Sequence, residues 1–278
     1  MPSALFDGKP SAVEFPDYIK KQVQVCAIWV KEDINNPYFY YQNVLKSFKN
    51  RITLPINNID AKKALLLSLE GGSPIEENID RLYDIKKHGI SSVMLTWNSN
   101  NSLAGGALDS GQLTEKGKRA IEILNKLGMA LDISHLNDKS AYKALEYAET
   151  PLASHSNCRS VCRHKRNLPD DALKLIRDKS GIIGINFYPS FLGEGNTFSN
   201  ILCHIKYMLD LDLENAISIG SDFDGGDMNK SLYKTTQIKE LYVFLNEEIQ
   251  DTAIVNKIFF ENAFNFYQKL FDKWKDML

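Results

Sequence analysis

The sequence predicts an α/β fold, a (β/α)8 TIM-type barrel whose first strand is absent from the chain, as one domain over residues 1–278. Short apolar runs rich in β-branched residues recur along the chain. Each is followed by a segment with helical periodicity, a pattern typical of parallel strands joined by crossover helices. With 278 residues, 44% of them hydrophobic, the chain is long enough to bury one barrel-sized core, and no linker-like segment divides it.

Seven strands are predicted from these runs. They are residues 23–30, 64–69, 92–97, 129–134, 151–154, 181–187 and 216–221. A closed barrel of this type has eight strands, whereas an open doubly wound sheet more often has five or six. Residues 1–17 contain Pro2, Pro10 and Pro16 and no strand-like run, so we interpret the first strand as the missing one.

Two of the predicted helices have clear start and stop signals. Thr114 precedes a helical run that ends at Gly128, and Asp170 precedes a run that closes at Gly181. Ser, Thr and Asp favour the residue before a helix, and glycine favours the residue after it.

Composition gives no reason to propose nucleic acid or an acidic membrane as a partner, because the formal net charge is only −2 and the basic residues are spread along the chain. The longest apolar runs are too short to span a bilayer, and the N-terminus has no basic segment followed by an apolar one. The four cysteines lie among strand and helix signals, which favours reduced thiols. We expect a cytoplasmic protein.

Polar residues follow the predicted strands, and in a parallel barrel these strand ends form the active site. Glu70, His135, His155 and Asp222 each follow a different strand. Any one of them is explained as well by a helix cap or a buried hydrogen-bonded side chain. As a set they would converge near the barrel axis, and carboxylates and imidazoles are the ligands that hold Zn²⁺. We therefore predict that these four residues bind metal.

Neighbouring residues fit this hypothesis. Serines lie one or two positions before each predicted ligand, where they would supply further hydrogen bonds. They are Ser68, Ser134, Ser154 and Ser221. Gly71 and Gly72 would let the backbone turn sharply after Glu70.

The remaining histidines and one arginine are not predicted as metal ligands. His88 lies at a predicted helix C-terminus, where a solvated, cationic role is favoured over metal binding, and His204 falls within a helix. His164 stands in the basic run of residues 163–166. That run is explained either as a solvated loop or as a loop over the site in which Arg166 would hold a substrate carboxylate by two hydrogen bonds.

At these residues the sequence resembles the membrane dipeptidase (renal dipeptidase) family of zinc peptidases, a branch of the metal-dependent barrel hydrolases. Six motifs over nearly the whole chain carry the resemblance. They are Leu69-Glu70-Gly71-Gly72, Gly111-Gln112-Leu113-Thr114 with Gly117, residues 128–135, Ala153-Ser154-His155-Ser156-Asn157, residues 166–171 and Gly220-Ser221-Asp222-Phe223-Asp224-Gly225.

The resemblance implies a hydrolase that cleaves the amide bond of dipeptides with two zinc ions. Glu70 resembles the bridging glutamate, and His135 and His155 resemble the ligands of the second zinc. Asp222 matches the catalytic aspartate beside the metal-bound water, and Arg166 matches the arginine that contacts the terminal carboxylate of the dipeptide. Tyr188 lies in a similar substrate-facing segment. Family members are commonly homodimers.

Two departures from the family pattern affect the expected activity. Members usually begin with a strand ending in His-x-Asp, which binds the first zinc, and this chain has no His-x-Asp. We therefore expect one tightly bound zinc at most and weak or absent peptidase activity. Trp97 stands where the animal enzymes carry a histidine, and we interpret it as a substrate-contacting residue that affects substrate range.

Two explanations of the missing strand stay open. Either the recorded start lies downstream of the real one, which we favour because every other motif is intact, or the strand has been lost. An alternative function is a non-catalytic barrel that binds a peptide or a protein partner through the same mouth.

Overall fold

The computed structural model describes residues 6–8 and 11–276. Seven strands alternate with helices within these residues, and their order in the sheet is their order in the chain. The strands are β1 Gln22–Trp29, β2 Lys63–Glu70, β3 Ile90–Met94, β4 Ala130–Asp132, β5 Pro151–Ala153, β6 Ile182–Ile185 and β7 Ile217–Ile219. All seven predicted strands are therefore confirmed, and several are shorter than their apolar runs.

Helices connect the strands. They are α1 Pro37–Arg51, α2 Ser73–Glu76, α3 Arg81–Lys87, α4 Glu115–Lys126, α5 Asp138–Tyr147, α6 Asp170–Asp178, α7 Pro189–Leu192, α8 Thr197–Asp210, α9 Ile238–Ile249, α10 Thr252–Asn256 and α11 Asn262–Asp276, with a 3-10 turn at Thr235–Gln237 and a π turn at Lys257–Glu261.

The chain forms two compact units. The first contains Asp17–Pro151 and the described residues of both ends of the chain, and the second contains Ala12–Pro16 and Leu152–Tyr267. One domain over residues 1–278 stays a prediction.

In the first unit, strands β1 to β4 run parallel. Strand β2 is buried from Ala64 to Glu70, as expected for a strand that is covered on both faces. Glu70, the last residue of β2, pairs with Trp29 at the end of β1. The register therefore brings the C-terminal ends of these two strands to the same edge of the sheet.

The predicted start and end of α4 are confirmed. The Thr114 hydroxyl accepts a hydrogen bond from the backbone N–H of Gly117 at 3.1 Å, and Gly128 after the helix has φ 62°. The boundaries of α6 differ from the prediction. Asp170 is its first residue, because the Asp170 carboxylate accepts from Ser160 and Tyr207 rather than capping the helix, and the left-handed residue is Ser180 (φ 55°), not Gly181.

In the second unit, strands β5 to β7 run parallel, and two glycines allow a close approach of the backbone. A Cβ on Gly184 would lie 2.0 Å from the Ser154 carbonyl oxygen, and a Cβ on Gly220 would lie 1.9 Å from the same oxygen. Any larger residue would push these strands apart where polar residues follow them.

No helix among the described residues combines the length and the apolar character needed to cross a membrane.

His204 in α8 belongs to the core of the second unit. It is fully buried, its Nδ1 accepts a hydrogen bond from the Cys158 backbone N–H at 3.2 Å, and its Nε2 lies 3.2 Å from the Leu192 carbonyl oxygen. The neutral ring with a proton on Nε2 satisfies both contacts. Burial lowers the pKa of His204 to about 4, so His204 is a structural residue.

This low pKa predicts a loss of stability in mild acid. Between pH 6.5, the ordinary pKa, and about pH 4, the pKa in the folded protein, the unfolded chain binds a proton that the folded chain does not. Stability therefore falls as pH falls through this window, by about 3 kcal/mol from this residue. Urea unfolding at several pH values should show a weaker pH dependence in His204→Gln, and an unchanged dependence would contradict the assignment.

Candidate metal centre

Glu70 is held at the end of β2 by its backbone. Its carbonyl accepts from the Val30 N–H at 3.0 Å, and its side chain is 6% exposed. Gly71 follows with φ 96°, and a Cβ on Gly72 would lie 1.8 Å from the Leu95 carbonyl oxygen. Gly71 therefore permits the expected sharp turn, whereas Gly72 permits the close approach of the Leu95 backbone. The turn leaves the Glu70 carboxylate at the edge of the sheet.

His135 lies beside Glu70. The distance between His135 Nε2 and Glu70 Oε1 is 3.3 Å, and both side chains are buried. On the other side of the ring, His135 Nδ1 lies 3.0 Å from Asn98 Oδ1. In this orientation of the Asn98 amide, Oδ1 can only accept, so the ring proton is on Nδ1. Nε2 faces the carboxylate, where it either donates its own proton as an imidazolium or, in the neutral ring, shares a bound cation with the carboxylate.

Trp97 forms a wall against His135. The two rings stack with centroids 5.7 Å apart, and Trp97 also meets the Trp29 ring edge to face at 5.4 Å. Asn98, the next residue, was not assigned a role from the sequence. The available signal was its position directly after the apolar run predicted as the third strand, residues 92–97.

In the second unit, His155 follows β5 and is buried. Its Nδ1 lies 2.7 Å from the Ser154 hydroxyl, and its backbone carbonyl accepts from the Asn186 amide at 3.3 Å. Ser154 thus contacts its histidine, as predicted.

The serines beside two other predicted ligands have different partners. In the first unit, Ser134 donates to the Asp132 carboxylate, and in the second unit, Ser221 accepts from the Phe223 N–H.

Asp222 lies in a tight turn after β7 with a left-handed backbone, φ 59°. Its Oδ2 accepts from the Asn186 amide at 3.2 Å, and a Cβ on Gly225 would lie 2.1 Å from its Oδ1. Aspartate tolerates this conformation better than most residues. The turn and Asn186 together fix the carboxylate.

Asn157 and Asn186 form a buried amide network that the sequence reasoning missed. Both are fully buried. Asn157 Oδ1 accepts from the Asn186 N–H at 2.9 Å, and Asn157 Nδ2 donates to the Asn186 carbonyl at 3.0 Å. Asn186 Oδ1 accepts from the Tyr188 N–H at 2.6 Å. Asn186 therefore links the backbone of His155, the carboxylate of Asp222 and the start of α7.

Arg166 and Tyr188 both lie against Phe191 in the second unit. Arg166 is 4% exposed, and its guanidinium is 5.4 Å from the centre of the Phe191 ring. The Tyr188 ring centroid is 4.9 Å from that of Phe191. The Arg166 backbone N–H donates to His164 Nδ1 at 3.1 Å, so His164 stabilises the loop that carries Arg166.

His88 lies at the C-terminus of α3 as predicted, but the expectation of a solvated cation there is wrong. Its Nδ1 is 3.1 Å from the Tyr41 hydroxyl, a contact across 47 residues. Burial and the nearby Lys49 ammonium lower its pKa. His88 is therefore a half-buried neutral residue.

A family model described as membrane dipeptidase, peptidase family M19, matches residues 34–272. The chain belongs to the membrane dipeptidase family. The resemblance found in the sequence motifs is thereby confirmed, and with it the enzyme class, a metallo-dipeptidase within the hydrolases.

Relatives of this family match different shares of the chain. An uncharacterized protein in the pqqA 5' region of Klebsiella pneumoniae is 30% identical over 218 residues, which are 73% of this chain and 80% of that protein. An uncharacterized dipeptidase of Schizosaccharomyces pombe is 32% identical over 198 residues, 66% of this chain. The match spans only 47% of the yeast protein.

Solved structures share the fold. Dipeptidase AC, a metallopeptidase of family M19, superposes with a TM-score of 0.80 at 23% identity, covering 88% of this chain and 85% of its own. A metallopeptidase from Rhodobacter sphaeroides, bound to a phosphinate mimic of the dipeptide L-Ala-D-Ala, gives 0.78 at 22% identity with the same coverage. This likeness confirms the predicted fold class, a (β/α)8-type barrel.

The buried amide network should be cooperative. Asn157→Ala and Asn186→Ala each leave buried backbone groups without a partner, so each is expected to cost about 2 kcal/mol of unfolding free energy. Because the Asn157 side chain bonds the backbone of residue 186, from which the Asn186 amide extends, the double variant should lose less than the sum, by about 1 kcal/mol. Urea unfolding measures all three. Strict additivity would contradict the network, and Asn200→Ala, a half-exposed amide in α8, serves as the control.

Proposed function

We propose that this chain binds zinc through Glu70, His135 and His155 and hydrolyses the amide bond of dipeptides. The observation that carries the proposal is the buried pair of Glu70 and His135, whose facing atoms lie 3.3 Å apart while Asn98 Oδ1 lies 3.0 Å from the other ring nitrogen. Family membership supplies the reaction class.

The residues fit the metal. Glu70, His135 and His155 are all buried, and each offers one ligand atom. One carboxylate and two imidazoles are the protein ligands of several catalytic zinc sites, which leave a further position open. The contacts of Asn98 with His135 and of Ser154 with His155 are the outer hydrogen bonds that orient such ligands.

When bound, zinc would polarise the scissile carbonyl and make water more acidic. Asp222, held by Asn186, would accept the proton of the attacking water and pass it to the leaving amine. Arg166 would bind the carboxylate of the substrate through two hydrogen bonds, and Tyr188 and Trp97 would line the substrate site. The dipeptide mimic bound by the Rhodobacter sphaeroides relative supports a dipeptide as substrate.

We propose that activity is weak in this chain of 278 residues, because it contains no His-x-Asp pair for a first zinc. Glu70 and Asp222 alone would hold a second ion poorly, since structural and catalytic zinc sites use three or four protein ligands.

Metal analysis tests the site directly. Purified protein should carry about one equivalent of zinc, and His135→Ala should lose it because only Glu70 and His155 remain as ligands. His88→Gln, which changes a histidine outside the site, should keep the metal. Two equivalents of zinc with full dipeptidase turnover would contradict the proposed impairment, and zinc retained by His135→Ala would contradict the ligand assignment.

Asn98 should tune the metal affinity. Asn98→Leu removes the acceptor of the His135 Nδ1–H, and loss of such a contact typically weakens metal binding by about 10- to 100-fold. Asn98→Asp keeps an acceptor at this position and should bind zinc at least as tightly as the natural protein. Competition with a chromogenic chelator measures both, and equal affinities for Asn98→Leu and the natural protein would refute the role.

The same protein distinguishes the enzyme from the alternative of a non-catalytic barrel. Zinc-dependent release of free amino acids from dipeptides supports the enzyme, whereas peptide binding without turnover by zinc-loaded protein supports the alternative.

A cytoplasmic location and a homodimer are proposed from the sequence and the family resemblance, and light scattering coupled to gel filtration tests the dimer.

A further inference from the structure

A cavity of about 270 Å³ opens in the first unit. Residues that follow β1, β2 and β3 line it, among them Glu32, Gly71, Gly72 and Trp97. Small-molecule sites usually occupy about 300 to 1,000 Å³. This cavity is smaller, so its volume suits one amino-acid side chain rather than a whole ligand.

The cavity is acidic. Glu32 and Glu76 line it, and none of its nine lining residues is lysine or arginine. Glu32 Oε1 accepts from the Ser99 N–H at 2.8 Å, and Glu76 Oε2 accepts from the Ser102 N–H at 2.9 Å, so the loop after β3 fixes both carboxylates. Lys116 donates to the backbone carbonyl of Glu76 and does not line the cavity.

Trp97 places the cavity next to the proposed metal centre. Its ring lines the cavity and stacks on His135 with centroids 5.7 Å apart. An indole face attracts cations. A ligand group in the cavity would therefore contact an aromatic wall and two fixed carboxylates beside a proposed zinc ligand.

We propose that this cavity receives a cationic side chain, ammonium or guanidinium, from the N-terminal residue of the dipeptide. The assignment rests on the proposed function, in which Arg166 takes the carboxylate of the C-terminal residue. Glu32 and Glu76 would balance the charge, and Trp97 would cover the alkyl stem or the cation. A bound divalent metal is a poorer fit, because neither glutamate belongs to a group of three close metal-ligating side chains in the described residues.

Two matched pairs of dipeptides test the assignment. Arg-Ala and citrullinyl-alanine differ in the charge of the N-terminal side chain but hardly in its shape, and Arg-Ala should have a kcat/KM about tenfold higher. Arg-Ala should also be preferred over Ala-Arg. Equal values within the first pair, or a preference for Ala-Arg, would overturn the proposal.

Charge-removing variants test the residues. Glu32→Gln and Glu76→Gln keep an oxygen that accepts from the loop N–H, and each should lower the Arg-to-citrulline ratio by about threefold or more. Glu77→Gln is the control, because Glu77 is exposed and pairs with Arg81 outside the cavity. A ratio unchanged in both variants, or lowered equally in Glu77→Gln, would overturn the assignment.

A binding measurement tests the cavity independently of catalytic turnover. Calorimetry with L-argininamide and L-citrullinamide, on protein with and without zinc, should show tighter binding of the cation and its loss in Glu32→Gln. Selective binding without hydrolysis of any dipeptide would support the cavity and overturn the proposed function. Hydrolysis with no charge preference in binding or turnover would support the proposed function and overturn the cavity assignment.

Discussion

The approach of the His135 imidazole to the Glu70 carboxylate is the interaction on which the rest of the first unit depends. A buried carboxylate is costly unless a cation, either a protonated imidazole or a metal ion, lies beside it. Three features of the first unit hold these two side chains in place. The register of β1 and β2 fixes Glu70, Asn98 orients the imidazole, and Trp97 covers its face. Such preorganisation is typical of sites that serve a ligand rather than stability.

In the second unit, uncharged amide side chains rather than ion pairs hold the predicted site residues in place. Asn186 has no charge and cannot titrate, yet it contacts the backbone of a predicted ligand and the carboxylate of a predicted catalytic residue. Asp222 and Asp224 both have positive φ angles. Left-handed aspartates in one turn are uncommon, and such conformations persist where surrounding contacts determine them. The Asn186 amide supplies such a contact for Asp222, and the Ala12 N–H donates to the Asp224 carboxylate at 2.6 Å.

The strands were predicted well from the sequence because apolar runs that alternate with helical segments are compatible with few other architectures. Glu70, His135, His155 and Asp222 were predicted as site residues because strand ends are where parallel folds place their chemistry. Asn98 and Asn186 were missed because an asparagine at a strand end is equally typical of a turn. His88 was misread because its partner, Tyr41, is distant in sequence, and the end of α6 was misplaced because Ser180 adopts a conformation that usually favours glycine.

The position of Trp97 has a consequence for how this protein could diverge. The Trp97 ring stacks on His135, and Trp97 also lines the acidic cavity. A substitution at residue 97 would alter the packing against His135 and the lining of the cavity together. Selection could hardly act on one of these effects without the other. Glu32 and Glu76 line only the cavity, and their substitution leaves His135 untouched. New substrate preferences would therefore arise more readily through the glutamates, while the tryptophan is retained.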